Sequence, residues 1–336
     1  MKFYKKYCHK IKNCLTILLI NRDNYYKNGD FLEKHLTLLL KLKVVISGKY
    51  TCFHSISILF FNIEFITYIA IGHGVCYFKH YLFNDFRLYG RKKNNKILIP
   101  PSNKLISIVK KYGWDDKDII KINLPRWDKY NCEEKENYFL NNNIFIMFTW
   151  RDIKKNMKIS SDYINNIINI LVNVKLIEEI KKKKITLFFC LHRYIVKKYS
   201  KKYKLIINSN KNIKYVEQDE ISECLTKSSL VISDFSSIIF DFIYKKKPYI
   251  IYIPDAEDPE IYNIYTNEYF ELIESMKNNS FEFENIFFDI NQAINKIIFY
   301  INNNYTLDYK LKNLYNSFYL KQGNNIDKFI DYLRNL

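Results

Sequence analysis

Five short segments of this chain carry the residue types that phosphate chemistry uses. The first is Ile71-Gly72-His73-Gly74-Val75, followed by Lys79. Flanking glycines allow a tight turn and a close backbone approach to a substrate. An imidazole there can act as a general base near neutral pH, or be an ordinary turn histidine. The second is Thr149-Trp150-Arg151-Asp152. The planar donor fork of Arg151 suits a phosphate, although pairing with Asp152 would occupy it equally well. The third is Leu191-His192-Arg193, again a His and an Arg after an apolar run. The fourth runs from Val231 to Asp241 as Val-Ile-Ser-Asp-Phe-Ser-Ser-Ile-Ile-Phe-Asp. Here a strand ends and a helix begins, so Asp234 or Ser236 can cap that helix. The free N–H groups of its first turn, its dipole and the hydroxyls of Ser236 and Ser237 would cradle a phosphate. The bland alternative is a good cap and nothing more. The fifth is Asn123-Leu124-Pro125-Arg126-Trp127-Asp128, whose Arg126 and Asp128 either face a cleft or form a surface ion pair.

All five segments follow apolar, β-rich runs. The pattern predicts strands at Val44–Ser47, Phe65–Ala70, Lys96–Ile99, Ile119–Ile122, Ile144–Phe148, Ile185–Cys190, Ile213–Val216, Leu230–Ser233 and Tyr249–Ile253. These runs are continuously apolar, as strands buried on both faces of a parallel sheet are. Helix-like stretches lie between them at Ser102–Tyr112, Ser160–Ile180, Ile221–Lys227 and Ser237–Tyr244. The alternation predicts a doubly wound α/β architecture, in which ligands bind beyond the carboxyl ends of the strands. A polar seam at 131–143 marks a boundary. We therefore expect an extension at 1–43, an α/β domain at 44–137, a second at 138–300, and helices at 301–336. After Asn278 the pattern reads as helical only. The five segments would then converge on one cleft suited to an anionic, nucleotide-linked substrate.

Composition bounds the alternatives. A length of 336 residues predicts about two domains. With 48% hydrophobic and 26% charged residues, the chain as a whole is neither disordered nor coiled coil. The net charge of +18 reflects either an AT-rich coding bias, which 29 Tyr, 25 Phe and only 7 Gly also suggest, or an anionic partner. The 7 Cys contain no C-x-x-C pair, which argues against a zinc ribbon and for reduced, buried thiols. The apolar run Cys14–Ile20 resembles the start of a signal peptide but ends at Asn21-Arg22-Asp23. The longest apolar stretch, Ile56–Ile71, is broken by Asn62 and Glu64. A spanning helix needs about 20 apolar residues, so no span is expected, while a basic surface is attracted to anionic lipid.

Taken in order, His73-Gly74…Lys79, Pro125-Arg126-x-Asp128, Thr149-Trp150-Arg151, His192 and Asp234-Phe235-Ser236-Ser237…Phe240-Asp241 resemble the CDP-glycerol glycerophosphotransferases. That family makes teichoic acids and related capsular polymers. The resemblance covers roughly residues 44 to 255. It implies a GT-B-like fold of two Rossmann-type domains facing a cleft. It implies transfer of glycerol phosphate, or a related polyol phosphate, from a CDP-linked donor to a hydroxyl of a lipid-linked or polymeric acceptor, with release of CMP. It further implies no cofactor, no metal and no nucleic-acid partner. The expected location is the cytoplasmic face of the membrane, on an anionic surface and without a span. The family usually has His-Pro where this chain has His192-Arg193.

Carried onto this sequence, the resemblance makes His73 the candidate base. Arg151, His192 and Lys79 would stabilise charge on the pyrophosphate. Gly74, Thr149, Trp150, Ser236, Ser237 and Asp241 would hold the donor, Asp241 by contacting a donor hydroxyl or by ordering the loop. Arg126, Asp128 and Asp234 would line the remainder of the cleft. Three other readings compete: a GT-B glycosyltransferase using a nucleotide sugar, a nucleic-acid-binding protein, and an inactive scaffold of an export complex.

Overall fold

The computed structural model describes residues 16–20, 42–47, 67–70, 96–131, 142–149, 161–191, 205–207, 209–217, 220–256, 267–278, 283–320 and 323–335. The chain divides into two compact units, Met1–Cys132 together with Ser317–Leu336, and Glu133–Asn316. The first crossing falls inside the polar seam. The second assigns residues 317–336 to the first unit instead of leaving 301–336 as a separate set of helices.

The first unit carries a parallel sheet in the order β1-β2-β3-β4. Its strands are β1 (Thr16–Ile20), β2 (Leu42–Ser47), β3 (Thr67–Ala70) and β4 (Lys96–Leu98). The run that resembles a signal-peptide start is therefore an edge strand, paired in parallel with β2 from Ile17↔Val44 to Ile20↔Ser47. A five-residue run of Thr, Ile and Leu has the length and composition that a strand favours. The first strand thus lies well inside the segment expected as an extension. Helix α1 (Asn103–Lys111) follows β4, capped by Ser102, whose Oγ accepts from the Leu105 N–H at 3.0 Å. The expected strand at Ile119–Ile122 is reduced to a single bridge between Leu98 and Ile119. A 3-10 turn at Pro125–Trp127 leads into the short helix α2 (Asp128–Asn131). The unit's core joins Ile69, Ile97, Ile99, Ile120 and Ile122 to Phe329 and Leu333 from the far end of the chain.

The second unit contains β5 (Asn143–Met147), α3 (Ser161–Leu171), α4 (Val174–Lys183), β6 (Thr186–Cys190) and β7 (Ile213–Tyr215). It continues with α5 (Ile221–Lys227), β8 (Leu230–Ser233), α6 (Ile238–Tyr244), β9 (Tyr249–Tyr252), α7 (Asn267–Lys277), β10 (Ile286–Phe287) and α8 (Ile290–Asn302). The stretch read as one helix over 160–180 is two. Asn173 interrupts it and caps the second, accepting from the Leu176 N–H at 3.1 Å. Short β10, paired with β9, replaces the purely helical ending expected after Asn278. Helix α9 (Tyr309–Phe318) carries the chain back to the first unit, where α10 (Asn325–Arg334) ends the described residues' last element.

The second sheet is parallel throughout, in the order β10-β9-β8-β5-β6-β7. This is the strand order of a doubly wound nucleotide-binding sheet. Its first strand, β5, sits beside its fourth, β8, with Ile146 opposite Ile232. The winding reverses between these two strands. Ligands of such sheets bind outside the carboxyl ends at that reversal.

Candidate functional site at the β5–β8 switch point

Two of the sequence segments leave the second sheet at this point: Thr149 follows β5, and Ser233-Asp234-Phe235-Ser236-Ser237 closes β8. Both strands are apolar and sealed, with Ile144, Phe145, Ile146, Leu230, Val231 and Ile232 at 0% exposure. The chain can turn polar only beyond their ends. Ser233 donates its hydroxyl to the Met147 carbonyl and ties the two ends together.

Asp234 is fully buried, and its carboxylate accepts from Thr149 twice. The main-chain N–H of Thr149 lies 3.0 Å from Oδ1, and its hydroxyl lies 2.6 Å from Oδ2. Tyr163, on α3, donates its phenol to the Thr149 carbonyl at 2.6 Å. Two sequence expectations change here. Asp234 does not cap the following helix, because its oxygens are turned to Thr149. Thr149 spends its hydroxyl proton on Asp234, so that proton is not offered to a donor phosphate. The two residues hold each other at the carboxyl ends of β5 and β8. Tyr163 was missed by sequence reasoning. An aromatic residue in an amphipathic helix reads as core, and no spacing marks its hydroxyl.

The Ser-Ser pair lies beyond Asp234. Ser236 is 7% exposed, and its Oγ accepts from the Ile238 N–H at 3.4 Å, a long bond. Ser237 is half-buried and occupies the cap position of α6 with helical backbone angles. Its side chain makes no capping bond. All seven residues of α6 are buried, Asp241 among them. The helix packs on β8 and β9, so its start is fixed against the sheet.

The Pro125–Asp128 segment has a different use from the one expected. Trp127 is fully buried and meets Tyr319 edge-on at 5.0 Å. Asp128 accepts from the Asn325 N–H at 3.0 Å and the Ile326 N–H at 2.6 Å, capping α10 from outside. Asp128 is therefore a structural acceptor within the first unit, where a ligand-facing carboxylate was expected. Arg126 is exposed, its guanidinium 6.0 Å from the Trp127 ring centre. The other expected site residues, His73, Gly74, Lys79, Trp150, Arg151 and His192, lie outside the described residues.

Cys190 ends β6 two residues before His192. Burial, reinforced by Glu217 and Cys224, pushes its thiol up to about 12. That disfavours the thiolate, so Cys190 is packing and not a nucleophile. Cys224 is likewise a buried thiol. Among the described residues no group of three His, Cys, Asp or Glu is placed to hold a metal ion. Among them too, no helix is long and apolar enough to cross a membrane.

Two parallel α/β units, the second wound in nucleotide-binding order with Thr149 and Asp234 hydrogen-bonded at its switch point, define a GT-B-like protein. The family model of CDP-glycerol:poly(glycerophosphate) glycerophosphotransferase matches residues 9–323, and the chain belongs to that family. Over 277 residues it is 26% identical to the minor teichoic acid biosynthesis protein GgaB of Bacillus subtilis (strain 168). That match covers 77% of this chain, which spans only 27% of GgaB. A solved structure of the wall teichoic acid polymerase TagF shares the fold at a TM-score of 0.62 and 16% identity, covering 99% of this chain and 84% of that one. A TagF structure soaked with CDPG aligns over the same shares at a TM-score of 0.61.

Proposed function

We propose that this chain transfers glycerol phosphate, or a related polyol phosphate, from a CDP-linked donor to a hydroxyl of a lipid-linked or polymeric acceptor and releases CMP. The observation that carries the reading is the family match, which runs through both units. The Asp234–Ser237 turn at the switch point of the second sheet supports a donor site there.

In this reading the acceptor oxygen attacks the β-phosphorus of the donor. The new P–O bond forms as the bond to the CMP oxygen breaks. His73 takes the hydroxyl proton. Arg151, His192 and Lys79 balance the charge that grows on the departing phosphate. Gly74 and Trp150 complete the donor contacts. Ser236 and Ser237 contribute hydroxyls at the start of α6, and Asp241, buried on that helix, contacts a donor hydroxyl or orders the loop. Exposed Arg126 serves the glycerol-phosphate side. No cofactor is required beyond the CDP-linked donor.

The expected working place is the cytoplasmic face of the membrane, where the +18 charge meets anionic lipid. The test is CMP release from CDP-glycerol and CDP-ribitol, with and without membrane lipid extract. Release that depends on lipid, and that falls at least about 10²-fold in His73→Ala, supports the reading. Folded protein that releases nothing from either donor points instead to a nucleotide-sugar glycosyltransferase.

A further inference from the structure

One residue at the switch point, Thr149, has every main-chain polar group and its hydroxyl engaged. Asp234 takes its N–H and its hydroxyl, and Tyr163 gives a proton to its carbonyl. Tyr163 and Asp234 are 1% and 0% exposed, so both partners of Thr149 are themselves held in the core. The Thr149 carbonyl belongs to the planar peptide unit that includes the nitrogen of Trp150. Fixing that carbonyl and the preceding N–H fixes the orientation of Thr149 at the end of β5.

We infer that Tyr163 and Asp234 form a positioning clamp on Thr149, and that the placement this gives Thr149 at the carboxyl end of β5 is needed for turnover of the donor. The inference rests on the transferase reading above for its consequence in catalysis, and on the hydrogen bonds for the clamp itself. Neither residue reaches substrate in this assignment. Tyr163 sits in the first turn of α3, which packs against α4 and α8, so the phenol is held by the helix layer of the unit. The strand end is thereby locked to the layer beneath it.

Misplacing a catalytic group by about 1 Å costs on the order of 10²-fold in rate. Tyr163→Phe removes one proton donor and keeps the ring. Its expected result is a kcat lowered by roughly 10- to 100-fold per folded molecule, with the donor KM within about threefold of wild type. Asp234→Asn, which loosens the clamp from the other side, should show the same split. Tyr300→Phe is the control. It alters a buried phenol that accepts from Asn285 at 2.8 Å in another part of the unit, and kcat should not change. A purely structural role predicts less folded protein but an unchanged kcat for each folded molecule, and that result overturns the clamp.

Hydrogen exchange gives a readout that needs no activity. The Thr149 amide, bonded to Asp234, should exchange at least about threefold faster in both clamp variants than in wild type, and unchanged exchange overturns the clamp. Wild-type protein that releases no CMP overturns only the transferase reading, since exchange still judges the clamp.

Discussion

Asp128 and Asn325, separated by 197 positions in sequence, are joined by two hydrogen bonds. The Asn325 N–H and amide Nδ2 both donate to Asp128 Oδ1, at 3.0 and 2.5 Å. The Ile326 N–H reaches Oδ2 at 2.6 Å. Asn324, at the cap position of α10, makes no side-chain capping bond and has φ of 27°, in the left-handed region that Asn tolerates. Asp128 therefore supplies the missing cap from another part of the unit. Asn123 completes the clasp, its N–H donating to Asn325 Oδ1 and its Nδ2 to the Leu320 carbonyl.

Removing that cap should cost stability. Asp128→Ala leaves the Asn325 and Ile326 N–H groups without their acceptor, a loss of about 1–3 kcal/mol. Denaturant unfolding followed by Trp fluorescence will show it, because Trp127 lies beside the clasp. An unfolding midpoint equal to that of wild type would return Asp128 to the list of ligand-facing groups.

The end of the chain should be an obligatory part of the first unit. Phe329 is 0% and Leu333 1% exposed, and both belong to the core cluster that contains Ile69, Ile97 and Ile122. Phe329→Ala should destabilise that unit by about 3–5 kcal/mol through lost burial and an unfilled cavity. Deleting residues 320–336 should leave the first unit susceptible to proteolysis while the second resists. Equal resistance of both units would contradict this.

The strands of the second sheet are legible because burial on both faces writes them as unbroken runs of Ile, Phe and Val. Leu230–Ser233 is found as expected, and the Asp-Phe-Ser-Ser turn follows it. β1 is hidden because a short apolar run near a basic terminus fits a targeting segment equally well. β10 is two residues long and has no period to read. The partners of Asp128 and Asp234 are the larger gap. Local spacing offers each Asp a role near itself, as an ion pair or a helix cap. The structure gives each a partner far away in sequence, and no local pattern encodes that choice.

Asp234 should matter more for stability than a capping residue would. Asp234→Ala strips the half-buried Thr149 N–H and hydroxyl of their acceptor at once. Bonds to a charged acceptor contribute about 1.5–3 kcal/mol each, so a loss of at least about 2 kcal/mol is expected. Ser236→Ala removes only a 3.4 Å contact and should cost under about 1 kcal/mol. Thermal melts of the two variants side by side test the order, and a larger loss in Ser236→Ala would reverse the assignment of cap and clamp.

Stability should fall in alkali, and the buried Cys190 thiol is one cause. Its ordinary value is 9.0, and burial raises it to about 12 in the folded chain. The folded state therefore holds its proton at pH values where the unfolded chain has released it. This contribution is fully present below pH 9 and is lost as pH rises toward 12, at up to about 1.4 kcal/mol per pH unit. Cys190→Ala should flatten the decline over that window relative to wild type, even though losing a buried sulfur lowers stability at pH 7. Thiol titration gives the companion result. Folded protein at pH 8 should leave Cys190 unmodified by an aromatic disulfide reagent, and unfolding should expose it. Rapid modification in the native state would place the thiol outside the core and remove this explanation of the alkaline loss.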